Sequence, residues 1–123
     1  TLQLNAGQKW ETDAPLRAGM GKIRQAMAGS LQAIHTHKMS AKAYDGLAKK
    51  VHSAVGQIVA QCKLPPAADA QLHIVIADLL VGADQMAGKV KGAPRVDGAV
   101  KVIGALKAYG QHFDDAGFQP IEH

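Results

Sequence analysis

One cysteine, two glutamates and a handful of aromatic rings are all that this 123-residue chain holds of those residue types. A single thiol excludes an internal disulfide, so a chain of this length must rely on one apolar core. Aromatics make up 4% of residues against 47% hydrophobic overall. That balance disfavours a β-sandwich, which draws on aromatic and β-branched residues at alternating positions, and suits helices with small side chains at their contacts. No continuous run of about eighteen apolar residues occurs, so no membrane insertion is expected. The only glutamates are Glu11 and Glu122. Glu-x-x-His, C-x-x-C-H, P-loop and G-x-S-x-G patterns are absent, which removes the motif basis for a di-iron site, covalent haem, nucleotide binding or a serine hydrolase. Spacing assembles no nucleophile–base pair, and the expectation is a protein that is not an enzyme.

Charge narrows the partners. The formal net charge is +4 and the pI about 9.3. Lysines are scattered from Lys9 to Lys107 without a dense run or interleaved aromatics, so they read as solvated helix faces and no nucleic-acid partner is expected.

Breakers divide what is there into four helical segments, about 12–37, 40–62, 67–87 and 95–113. Thr12 or Asp13 can cap the first, with Pro15 in its first turn. Its stripe is Leu16, Met20, Ile23, Met27, Leu31 and Ile34, in steps of three and four. Ser40 caps the second, whose stripe ends in Val55, Ile58, Val59 and Cys62. Leu64 before Pro65 is steered out of the helical region and stops it. The third carries Leu72, Val75, Ile76, Leu79 and Met86; the fourth carries Val96, Val100, Ile103, Leu106 and Phe113. Short connections favour antiparallel neighbours, giving an all-α, up-down-up-down four-helix bundle in a single domain over 1–123. The N-terminal residues with Trp10 are expected across one end, and the tail DDAGFQPIEH reads as irregular. Glycines recur inside the helical pattern, and close backbone approach explains them better than space for a ligand.

In such a bundle one end collects Met20, His52, Cys62, Asp69, His73 and His112, with Asp114 and Asp115 just beyond. Imidazole, thiolate and carboxylate in a partly apolar setting suit copper, nickel or zinc. The candidate ligands are therefore His73, His112, Cys62, His52 and Asp69. Met20 reads first as plain core. A weaker secondary site lies in IHTHKM, where His35 and His37 can share an ion only from a frayed helix end or turn, since residues two apart point to different faces of a regular helix.

Three stretches resemble known bundles. LLVGADQMAG (79–88) and AYGQHFD (108–114) are similar to the third and fourth helices of soluble b-type and c′-type cytochromes, and PLRAGMGKIRQAM (15–27) to their first. This resemblance implies noncovalent haem with Met20 as an axial ligand. It departs at Gly110, where the b-type pattern carries its axial histidine and this chain places His112 two positions later. Nearly the whole chain resembles a family of small secreted proteobacterial bundle proteins, through Leu2 to Met20, Cys62 to His73 and Tyr109 to Asp114. That family implies a haem-free periplasmic protein with a removed signal peptide and a bound metal ion. It carries over Cys62 and His73 directly.

The leading expectation is thus periplasmic sequestration or carriage of copper, nickel or zinc. A haem-binding electron carrier and a cofactor-free partner-binding bundle are the alternatives. Small residues on the helix faces permit a homodimer.

Overall fold

The computed structural model describes residues 2–121; Thr1, Glu122 and His123 lie outside the described residues, including the last two of the tail expected to be irregular. Four helices account for most of the chain: α1 (Ala14–His35), α2 (Ala41–Gln61), α3 (Pro66–Met86) and α4 (Arg95–His112). Two short strands, β1 (Trp10–Glu11) and β2 (Phe113–Asp114), flank them.

Each boundary has a local cause. Asp13 Oδ1 accepts the Leu16 N–H at 3.0 Å and opens α1; Ser40 Oγ accepts the Ala43 N–H at 3.0 Å and opens α2. Both α3 and α4 begin after a proline, Pro65 and Pro94, without a side-chain cap. Asp69 and Asp97 stand in their first turns, where a carboxylate meets the positive end of the helix dipole. At the far end of α1, Lys38 N–H reaches back to Ala33 O at 2.9 Å, which requires His37 to adopt a left-handed φ of 57°. Gly88 does the same for α3 with φ 74°, at no steric cost.

One apolar cluster joins the four helices, and no polar or charged residue among the described residues is buried. Leu16, Met20, Ile23 and Met27 from α1 meet Val51 and Ile58 of α2, Leu72 and Leu79 of α3, and Leu106 and Tyr109 of α4. Two expected stripe members fall outside it. Val59 is 61% exposed and Val100 47% exposed, because the buried faces pass through Val55 and Ile58 and through Ala99, Val102 and Ile103 instead. The most extensive helix contact is α3 with α4, followed by α1 with α2, α2 with α3 and then α1 with α4. By length and composition α3 is apolar enough to cross a membrane, with a mean hydropathy of 1.2, although no uninterrupted apolar run reveals it. Asp69, Asp78 and Asp84 interrupt that run, and a core helix can have the same length and composition.

The ends of the chain are less irregular than the pattern suggests. Trp10 pairs with Phe113 and Glu11 with Asp114 in a parallel register. Thr12 Oγ1 donates to Asp114 O at 2.7 Å, and the Trp10 indole N–H donates to Gln3 O at 2.7 Å. Gln3 N–H in turn donates to Gln71 Oε1 of α3 at 2.7 Å, and Arg24 of α1 donates to the Gln119 carbonyl. The core cluster extends into this clasp through Phe113, stacked on Tyr109 at 5.4 Å, and Phe118, edge-on to Tyr109 at 4.9 Å.

Candidate cation site at the start of α3

The connection between α2 and α3 is tied to the start of α1 by one carboxylate. Asp13, which caps α1 with Oδ1, accepts the Lys63 N–H on Oδ2 at 2.7 Å. Cys62, the C-cap of α2 and half-buried, therefore sits beside it. Burial pushes the Cys62 thiol up from its ordinary value; the negative charges of Asp13 and Asp69 push the same way, against the opposing pull of the Leu64 backbone. Those two carboxylates make the corner negative: it resists a bare thiolate and favours a cation.

Asp69 and His73 stand one turn apart on α3, with Oδ2 and Nε2 separated by 3.3 Å and both side chains solvent-accessible. Spacing of four residues places them on one helix face. Asp69 thus connects the thiol's surroundings to an imidazole.

His112 ends α4, partly buried, with Nδ1 2.8 Å from Ala108 O. A carbonyl only accepts, so Nδ1 carries the proton and the neutral ring keeps Nε2 as its lone-pair atom. A backbone-held imidazole of this kind is how metal-binding histidines are oriented. Nearby, Tyr109 donates to Asp115 Oδ2 at 2.8 Å. Burial raises the phenol strongly, with the Asp115 hydrogen bond and charge adding to it and Arg17 opposing.

One residue grouped with this end by counting along the helices belongs elsewhere. His52 Nε2 lies 3.1 Å from Asp84 Oδ1, so it reaches the last turn of α3, whereas Asp69 and His73 occupy the first turns. Counting misplaced it because the lateral register of α2 on α3 is not set by the length of their connection. Met20 is fully buried in the core cluster, as its place in the α1 stripe predicts. Of the secondary pair, His35 closes α1 and His37 occupies the left-handed position after it; both are exposed.

Among the described residues, no three His, Cys, Asp or Glu side chains converge as a ready ligand group. Asp69 and His73 are the expected pair found together; Cys62 is joined to them through charge. Asp13 was missed as part of this corner. Its signal in the sequence was the capping position ahead of Pro15, which marks a helix start and says nothing of a contact 50 residues on. Comparison with family models, with curated proteins and with solved structures returns no match.

Proposed function

We propose that this chain is a periplasmic up-down-up-down bundle that binds a soft or borderline divalent ion, copper, nickel or zinc, for sequestration or carriage without catalysis. The observation that carries it is the Asp69–His73 pair, 3.3 Å apart on one exposed face of α3, with Cys62 in the shared field of Asp13 and Asp69. An ion inserting between Asp69 Oδ2 and His73 Nε2 replaces their direct contact with two coordinate bonds, and water completes the shell. Cation binding neutralises the charge that opposes ionisation of Cys62, so the thiol becomes a recruitable third donor. His112, its Nε2 the lone-pair atom, is a candidate for a fourth. The secretory and periplasmic assignment rests on the family resemblance.

Calorimetric titration of tag-free protein with each of the three ions tests the proposal. The expected result is saturable one-to-one binding that weakens at least tenfold in both His73→Ala and Asp69→Asn, with a smaller loss in Cys62→Ser. Binding unchanged in the first two variants overturns it, as does the absence of binding to any of the three ions.

A further inference from the structure

The two halves of the chain are charged differently. Residues 14–64 carry eight lysines and arginines against a single acidic residue, Asp45, and none between 14 and 44. Arg95 of α4 already holds Asp45 at 2.9 Å. From 65 to 121 the balance reverses, with six aspartates against five basic residues. The excess positive charge of the molecule therefore belongs to α1, α2 and their connections.

That half also carries a groove. A cavity of about 420 Å³ opens between α1 and α2, lined by Lys22, Gln25, Ala26, Gly29, Ser30 and Lys50. A second, about 220 Å³, shares Lys22, Ala26 and Lys50 with it and continues over Ser53 to Gln57. A third, about 370 Å³, shares Gly29 and runs on past Gln32 and Thr36 to Lys38. From Lys22 to Thr36 the groove follows fourteen residue steps along α1 to its C-cap, about 21 Å at 1.5 Å per residue. Six or seven residues of extended polypeptide, at about 3.3 Å each, have that length.

We infer that this groove is a docking surface for an acidic polypeptide segment in extended conformation. Lys22 and Lys50 stand at its widest part and Lys38 at its far end, and among the described residues none of the three is ion-paired. Lys22 spends one donor on Gln57 Oε1 at 2.9 Å, which holds its ammonium over the groove with two donors left. Gln25, Gln32 and Gln57 offer amides that both donate and accept, the complement of a peptide main chain. Single-stranded nucleic acid is a poorer fit, since no aromatic ring lines the groove for bases to stack on. A flat anionic membrane does not fill a concave channel and finds no apolar side chain larger than alanine on its rim to insert. This surface is separate from the Asp69–His73 corner and stands or falls independently of it.

The test is fluorescence anisotropy of a labelled hepta-glutamate peptide with the full chain at low and moderate salt. The proposal expects saturable binding that weakens with salt and falls at least tenfold in the double variant Lys22→Glu/Lys50→Glu. The same change of charge placed on α4, Lys101→Glu/Lys107→Glu, is expected to cost less than threefold. Gly29→Trp fills the groove without altering charge; an added Cβ there meets nothing within 4 Å, and in protein whose circular dichroism matches wild type, binding is expected to fall at least fivefold. Equal losses in the two double variants, or undiminished binding in Gly29→Trp, would reduce the effect to net charge and overturn the proposal. Binding of heptathymidylate or of phosphatidylglycerol vesicles in place of the peptide would overturn it as well.

Discussion

The seam between α3 and α4 and the seam between α1 and α2 are both built with small residues, yet their glycines meet different surroundings. A Cβ on Gly98 would lie 2.5 Å from Gly82 O and 2.6 Å from Met86 N, and one on Gly82 would lie 2.9 Å from Gly98 O. Backbone faces backbone there. On the other side, a Cβ on Gly19 would strike Ile58 Cγ1 at 2.3 Å, but one on Gly29, which lines the groove, would meet nothing within 4 Å. The α1–α2 seam is therefore tight near Gly19 and open beyond it, where Lys22 and Lys50 line the groove. Small residues do two jobs in one bundle: they let α4 approach α3, and they leave α1 and α2 uncovered on their outer face.

Substitution at Gly98 breaks this contrast most directly. Gly98→Ala is expected to cost about 3 kcal/mol, the upper end for overpacking, because its obstacles are main-chain atoms that have no rotamer to move to. Denaturant unfolding measures it, and a loss below about 1 kcal/mol would show that α4 can step away from α3 without consequence. Gly19→Ala should cost less, since Ile58 is a side chain with some freedom to turn.

How much of this was legible beforehand depends on whether the deciding contact was local. Asp13 and Ser40 cap the helices they precede, and the Asp69–His73 pair follows from four-residue spacing on one helix. The His52–Asp84 pair and the Lys63 N–H to Asp13 bond join residues 32 and 50 positions apart, and they depend on lateral register, which periodicity does not carry. The pairing of Trp10 with Phe113 is longer still and involves only two residues on each side. The glycines failed for a different reason. Gly98 and Gly29 look alike in a helical pattern, and only the neighbouring helix distinguishes close approach from open space.

The α2–α3 turn offers the next contrast, between a carboxylate that caps and one that charges. Asp13→Ala removes the α1 cap and orphans the Lys63 N–H, for an expected loss of about 1–2 kcal/mol. Asp13→Asn keeps an oxygen for the cap and loses less. Both remove a negative charge beside Cys62, so the thiol should ionise more easily and react faster with iodoacetamide at pH 8. Similar rates in wild type and in Asp13→Asn would mean that burial alone governs the thiol.

Tyr109 sharpens the same corner from the α4 side. Its phenol is raised in the folded state, so its contribution is fully present below the unfolded value of about 10 and is lost as pH rises above it. Wild type should therefore lose thermal stability between pH 9 and 11 (on the order of the unfolded tyrosine range) more steeply than Tyr109→Phe. At neutral pH that variant loses the hydrogen bond to Asp115, about 1 kcal/mol. Parallel alkaline limbs in the two proteins would assign the loss to another group.

The smallest expected effect has the opposite sign and bears on the open seam. Gly29 lies within α1, is exposed, and adopts no left-handed φ, so alanine fits its backbone without strain. An added methyl meets nothing within 4 Å, which leaves only the helix-propensity difference to act. Gly29→Ala should then stabilise the protein by about 1 kcal/mol or slightly less. Paired with the loss at Gly98, this gain measures the difference between the seams with one chemical change. A destabilised Gly29→Ala would mean that α2 closes over this position in solution, and the groove would then be too narrow for a polypeptide to enter.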